Sequence, residues 1–423
     1  MSSVRITTCR PAVSRLLRPK ATLRCPQPSH PPLLQVRHKS GPYGYTQAKA
    51  LVFSKYGEPN DVLYVHKHSI SPSLPNKSVL VRTLAAPINP ADVNTIQGTY
   101  GAKPSFSSLI GTSEPSAVGG NEGCFEVVSV GSGVTGLKKG DWVLPAKTGF
   151  GSWRTHALVE DADKALLKVS DKGGLTPLQV ATVSVNPCSA YRMLKDFVDL
   201  IDLSVKSYAS GRSTGGAWFI QNGANSGVGR AAIQLGKLWG LRSINVVRSR
   251  EDKEAERKLK EELKGLGATV VVTEEEFMDR SFTARVKEEF TDGGKDPIML
   301  GLNCVGGKNA GQIARCLGEG GTMVTYGAMS KQPVMLPTGL LIFKDLRFHG
   351  FWLSRWANRD TEGKKKTIEE ILSLMKEKKF ADVPMQEIKW DWETKEEVLK
   401  EAVQGTLQGF RSGKGVFVFG EDT

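Results

Sequence analysis

The glycine-rich turn Gly223-Ala224-Asn225-Ser226-Gly227-Val228-Gly229 directly follows the apolar run Ala217-Trp218-Phe219-Ile220-Gln221. A tight turn between a buried strand and a helix lets backbone N–H groups approach a pyrophosphate, and the helix N-terminus adds positive potential. Further on, Ser243-Ile244-Asn245-Val246-Val247 ends in Arg248-Ser249-Arg250. A dinucleotide without a 2′-phosphate prefers Asp or Glu at the end of that second strand, where the carboxylate accepts from the ribose hydroxyls. Two guanidinium forks match a phosphate instead, which predicts NADPH rather than NADH. The glycines depart from strict GxGxxG spacing. The succession of strand, turn, helix, strand and paired arginines carries the reading.

The elements that must position these groups fall into two styles. Up to Val169 the chain is punctuated by Gly and Pro, with short strand-like runs at Ala50-Leu51-Val52-Phe53, Ser78-Val79-Leu80-Val81-Arg82 and Cys124-Phe125-Glu126-Val127-Val128-Ser129-Val130. That pattern predicts a small, partly open β-barrel. Thr176-Pro177-Leu178-Gln179 reads as a capped helix start. Beyond it, strands expected at 217–221, 243–247, 269–272, 298–303 and 322–326 alternate with helices at 251–266 and 280–290, and a helix at 187–197 leads in. Such alternation predicts a doubly wound parallel sheet, so the chain as a whole is α/β. After Asp345 the alternation is expected to stop. A helix at 365–378 and strands at 388–390 and 415–419 would then return to the first domain.

With 423 residues the chain can bury a core for two domains. Its formal charge of +13 invites a nucleic-acid reading. Arg5, Arg10, Arg15, Arg18, Lys20, Arg24, Arg37 and Lys39 supply most of that excess, and no acid precedes Glu58. A basic, Ser-bearing, acid-free N-terminus interrupted by Arg and Pro has the composition of a mitochondrial transit peptide, assigned here to residues 1–40, rather than of a secretory signal. No apolar run approaches the roughly 20 residues of a membrane span, and no stacking-aromatic RNA module is evident. The six cysteines, Cys9, Cys25, Cys124, Cys188, Cys304 and Cys316, show no C-x-x-C spacing. They suggest buried thiols rather than a disulfide or zinc framework.

Several ordered segments resemble mitochondrial 2-enoyl thioester reductases, zinc-free members of the medium-chain dehydrogenase/reductase superfamily. They are Ile88-Asn89-Pro90-Ala91-Asp92-Val93-Asn94-Thr95-Ile96-Gln97-Gly98-Thr99-Tyr100, Val118-Gly119-Gly120-Asn121-Glu122-Gly123, Val185-Asn186-Pro187-Cys188-Ser189-Ala190-Tyr191, the nucleotide turn, Leu302-Asn303-Cys304-Val305-Gly306-Gly307, Gly320-Gly321-Thr322-Met323-Val324-Thr325-Tyr326-Gly327 and Gly350-Phe351-Trp352-Leu353-Ser354. The resemblance runs from about Ala50 to the C-terminus. It implies a GroES-like catalytic barrel over 41–187 and 350–423 and a Rossmann NADPH-binding domain over 188–349. Residues 105–117 and 203–216 look longer than the family pattern, and the second stretch, rich in Ser and Gly, is expected to be a surface loop.

The resemblance assigns the acid role to Tyr100. A phenol, with a pKa near ~10, keeps its proton at neutral pH and can give it to an enolate-like intermediate. The bland alternative is an aromatic lid that only packs. Tyr191, Tyr326 and His156 have weaker claims on this chemistry. The implied cofactor shell comprises Asn186, the turn Gly223, Asn225, Ser226, Gly227, Val228 and Gly229, then Arg248, Ser249 and Arg250. It continues with Tyr326, Gly327, Ala328 and Met329, Phe351, Trp352, Leu353 and Ser354, and Lys414. Phe351 could equally be core, and an isolated Lys such as Lys414 is usually a solvated surface residue.

No metal is expected. Zinc-dependent relatives place a Cys near Ala91–Asp92 and a His where Asn121 stands. Without a Lewis acid an activated alkene suits the site better than an alcohol. The implied reaction is NADPH-dependent reduction of trans-2-enoyl thioesters, carried on acyl-carrier protein or coenzyme A, in fatty-acid synthesis of the mitochondrial matrix. Hydride goes to the β-carbon and a proton to the α-carbon, and relatives imply a homodimer. The alternatives are a zinc-free quinone or alkenal reductase, and a non-catalytic RNA-binding protein that keeps the dinucleotide fold.

Overall fold

The computed structural model describes residues 42–209, 215–407 and 413–420. The expected transit peptide, with Cys9 and Cys25, lies outside the described residues.

Two large sheets and one three-stranded sheet organise the described residues. One has the order Met385–Trp390, Lys414–Phe419, Val79–Pro87, Cys124–Val130, Trp142–Pro145, Leu166–Lys168, with His156–Val159 pairing alongside Val79–Pro87. Thr46–Phe53 pairs antiparallel with Tyr64–Ile70 and Ala117–Val118 and completes the barrel. The closing strand Lys414–Phe419 comes from the far end of the chain and lies antiparallel to Val79–Pro87, with Val418 opposite Ala85. The C-terminus therefore returns to the first domain, as the pattern predicts.

The second sheet is parallel, in the order Val270–Thr273, Arg242–Val247, Trp218–Gln221, Ile298–Asn303, Leu317–Thr325, Arg347–Gly350. This is the doubly wound order with its switch point beside Trp218–Gln221, where ligands bind at the carboxyl ends of the strands. All four residues of that central strand are buried because helices cover both faces of the sheet. Helix starts follow local chemistry. Thr176 and Gln179 form a reciprocal capping box under Pro177–Thr182. Asp252 caps Lys253–Leu266, which ends on Gly267 at φ 118°.

One apolar core runs through both sheets, from Leu84 and Cys124 of the barrel through Cys188 and Leu194 to Phe219 and Val324. The crevice between the sheets is thus held by shared packing rather than by a linker.

Three expectations need correction. The stretch 203–216 is not simply a loop: helix Leu200–Ala209 occupies its first part, with Leu200 buried and Leu203 packed against the core, while 210–214 lie outside the described residues. The alternation does not stop at Asp345, because Arg347–Gly350 adds a sixth strand, paired from Thr322↔Arg347 to Thr325↔Gly350. Its short, largely exposed sequence gives little periodicity to read. The expected helix at 280–290 is an α-turn, Phe282–Arg285, that widens into a π-helical turn, Val286–Phe290.

Candidate active site

The nucleotide turn leaves the buried strand Trp218–Gln221 and enters the twelve-residue helix Gly227–Leu238. Two glycines are sterically required. Gly223 has φ 60°, and a Cβ there would lie 2.5 Å from the Cys304 sulfur; at Gly227 it would lie 2.6 Å from Asn186 Nδ2. Glycine at these positions lets the turn pack closely against Cys304 and Asn186. Ser226 caps the helix, accepting from the Gly229 N–H at 3.1 Å. Asn225 Oδ1 accepts from Arg230 Nε at 2.9 Å, and Arg230 is bidentate to Glu262. Asn225 and Ser226 are exposed, whereas Val228 and Gly229 are buried.

Arg248, Ser249 and Arg250 stand at the carboxyl end of the neighbouring strand, Arg242–Val247. Arg248 is exposed and the other two are half-buried. The backbone N–H of Arg250 donates to Glu256 Oε2 at 2.9 Å, and Ser249 Oγ accepts from the Glu275 N–H at 3.1 Å. Helix Lys253–Leu266 and helix Glu274–Met278 therefore fix the tripeptide while the Ser249 O–H remains able to donate. A glycine cradle beside two arginines carried on an anchored tripeptide fits a dinucleotide carrying a third phosphate.

On the other side of the switch point, Tyr326 donates its N–H to Asn303 O at 2.9 Å and Met329 to Cys304 O at 2.8 Å. These bonds lay Tyr326, Gly327, Ala328 and Met329 over Cys304. The buried Tyr326 hydroxyl has Cys304 and Ser226 beside it, and burial holds its pKa well above the usual phenol value. Phe351 donates its N–H to Thr325 O at 2.9 Å, but its ring packs edge-on against Phe197, 6.1 Å between centroids. Leu353 also packs against the core. The side chains of these two predicted residues are spent on packing.

Trp352 and Ser354 behave differently, because both meet Tyr100. The indole N–H of Trp352 donates to the Tyr100 hydroxyl at 2.9 Å, the rings are edge-to-face with centroids 5.9 Å apart, and Ser354 Oγ lies 3.4 Å from the same hydroxyl. A phenol from the barrel is thus oriented by a segment that leaves the carboxyl edge of the dinucleotide sheet. Tyr191 is engaged elsewhere, with Glu370 and Lys195. His156 is buried in the barrel strand His156–Val159.

Lys414, assigned to the cofactor shell by resemblance, is not a solvated surface lysine. Its side chain is only 9% exposed, and its ammonium group donates to Asn89 Oδ1 and lies 3.6 Å from Glu122, itself 1% exposed. Glu122 accepts from Asn89 Nδ2 at 2.7 Å and from Ser184 Oγ at 3.1 Å. Asn186 Nδ2 reaches Asn89 Oδ1 at 3.4 Å. Burial lowers the pKa of Lys414, against the opposing pull of Glu122 and Asp92. Sequence reasoning missed Asn89, Glu122 and Ser184 as site residues. The motif segments containing Asn89 and Glu122 were visible, but Ser184 lies just before its segment, and their convergence was not legible.

The donor set argues against zinc. Asn121 Nδ2 donates to Asp92 Oδ1 at 2.7 Å, and Asp92 Oδ2 accepts from the Asn89 N–H at 2.8 Å. The two positions that carry ligands in zinc-dependent relatives are therefore hydrogen-bonded to each other, one through an amide N–H that cannot ligate a metal. Burial raises the Asp92 carboxyl to about 6.

Residues 75–171 match the alcohol dehydrogenase GroES-like domain, and residues 227–377 match the zinc-binding dehydrogenase family model. The mitochondrial enoyl-[acyl-carrier-protein] reductase of Yarrowia lipolytica is 51% identical over 337 residues, 80% of this chain and 82% of that protein. A solved Etr1p/NADP/crotonyl-CoA complex is 40% identical, with TM-score 0.79, over 88% of this chain and 99% of that one. The mitochondrial 2-enoyl thioester reductase Etr1p/Etr2p heterodimer from Candida tropicalis is 39% identical, with the same TM-score and coverage. With this identity over most of both chains, the chain belongs to the mitochondrial enoyl-[acyl-carrier-protein] reductases, zinc-free members of the medium-chain dehydrogenase/reductase superfamily.

Proposed function

We propose that this protein reduces trans-2-enoyl thioesters, on acyl-carrier protein or coenzyme A, with NADPH as reductant, in mitochondrial fatty-acid synthesis. The observation that carries the proposal is the Tyr100 hydroxyl, supplied by the barrel and held by Trp352 and Ser354 at the edge of the dinucleotide sheet. Bound NADPH supplies a hydride, which the electron-poor β-carbon of the thioester takes up.

The chain's own residues do the rest. Backbone from Gly223 to Gly229 and the helix N-terminus receive the pyrophosphate, while Arg248 and Arg250 take the 2′-phosphate. Tyr326 to Met329, Trp352 and Lys414 wall the nicotinamide end. Because the Tyr100 oxygen accepts from Trp352, its own hydrogen is left to donate, and it protonates the α-carbon or steadies the enolate charge. No Lewis acid is needed, since the thioester carbonyl already withdraws electrons from the alkene.

The catalytic domain is assigned to 41–187 and 350–423, the NADPH domain to 188–349, and the matrix-targeting leader to 1–40. A homodimer through the outer edge of the parallel sheet is supported by the terminal strand Arg347–Gly350 and by helix Thr338–Phe343, which exposes Leu341, Ile342 and Phe343.

NADPH oxidation by the purified protein should depend on crotonyl-CoA and proceed far more slowly with NADH. Rapid turnover of a simple quinone, with crotonyl-CoA left untouched, would replace this reading with a quinone reductase.

A further inference from the structure

The buried polar cluster around Glu122 does more than fill the wall of the crevice. Asn89 is its hub: the N–H donates to Asp92, Nδ2 donates to Glu122, and Oδ1 receives both Lys414 and Asn186. Asn89 also stands at the N-terminus of helix Pro90–Ile96, whose C-terminal turn places Tyr100 through the bond from the Tyr100 N–H to Asn94 O at 3.1 Å. In the other direction, Asn186 abuts Gly227, the first residue of the nucleotide helix. The helix that leads to Tyr100, the nucleotide turn and the closing strand Lys414–Phe419 are therefore joined through one side chain.

We propose that Glu122 is a positioning residue: its carboxylate holds the Lys414 ammonium group against Asn89 and, through Asn186, sets the nucleotide turn relative to the helix that leads to Tyr100. The inference rests on the placement of Lys414 in the NADPH shell.

The charge balance makes Glu122 the member that matters. Lys414 is almost wholly out of water, and a buried ammonium without a counter-charge gives up its proton. Glu122 and Asp92 are the carboxylates acting on it, and of these Glu122 is the one at ion-pair distance. The other titratable groups facing Glu122 are Cys188 on helix Asn186–Asp196 and Lys364 on helix Thr361–Lys376. The Lys364 ammonium is already bound to the carbonyls of Pro145 and Ala146.

Glu122→Gln separates charge from shape. A glutamine can still accept from Asn89 and can donate to Ser184 Oγ, so both hydrogen bonds survive while the charge is lost. NADPH affinity, followed by nucleotide fluorescence across a pH series, should fall on the alkaline side as Lys414 loses its proton. In Glu122→Gln that fall should begin about one pH unit lower. Lys414→Gln should show no alkaline fall at all, and it serves equally if the Glu122 variant does not fold. An alkaline limb at the same pH in wild type and Glu122→Gln, or one that persists in Lys414→Gln, overturns the proposal. Crotonyl-CoA reduction, measured separately, tests the substrate reading without bearing on this outcome.

Discussion

The two ends of the cofactor crevice handle charge in opposite ways. At the adenine end, Arg248 is exposed and its neighbours half-buried, all within one tripeptide anchored by backbone hydrogen bonds. At the end proposed to take the nicotinamide, a buried Lys414 is held by Asn89 and Glu122 from distant parts of the chain. Exposed guanidinium groups keep their proton and lose strength mainly to salt. A buried ammonium group feels its partners strongly and depends on their geometry. On the proposed reading, one end sets which dinucleotide binds, and the other sets how it is held against the reacting groups.

The sharpest way to test this division is Tyr100→Phe, which should lower kcat by about 10²- to 10⁴-fold while NADPH affinity stays essentially unchanged. Steady-state kinetics with direct binding would check it, and unaltered turnover would return Tyr100 to packing.

Replacing Arg248 and Arg250 together by Ala should weaken NADPH binding by about 1.5–3 kcal/mol for each charge-assisted hydrogen bond to the phosphate that is removed. NADH affinity, measured in the same titration, should hardly change. Equal weakening for both nucleotides would break the assignment of this end to the phosphate.

Asp92 offers a pH test of the buried end. Its folded pKa, near 6, is raised above the usual carboxylate value. Its contribution to stability is therefore fully present below the unfolded pKa and is lost as the pH rises through about 6. Relative to Asp92→Asn, wild type should gain about 2–3 kcal/mol at most between pH 7 and pH 4, measured by denaturant unfolding. A constant difference would mean that Asp92 is not desolvated. The smallest effect is expected for Trp352→Phe, which removes one hydrogen bond to Tyr100 worth about 1 kcal/mol and should appear in kcat rather than in NADPH affinity.

The contrast between the ends also explains what the sequence made legible. The turn and the arginines are local in sequence, each tied to one strand end, so their chemistry can be read from adjacent residues. Tyr100, Trp352 and Ser354 meet across the fold, and only the family resemblance gave Tyr100 a role. Lys414 likewise owed its place in the shell to the resemblance, because nothing beside it in sequence announces the carboxylate that pairs with it. The strand Arg347–Gly350 escaped notice for a related reason: at a sheet edge, half its side chains need not be apolar, and the period that marks a strand fades.

That same edge has a consequence for the life of a single chain. Arg347–Gly350 ends the sheet and the nearby helix Thr338–Phe343 leaves Phe343 82% exposed, so a lone molecule carries an edge strand and an apolar rim on which another chain can pair. For the proposed homodimer, mass action makes durability a function of abundance: dilution should lower the melting temperature, and an orphan copy should be the species that precipitates first.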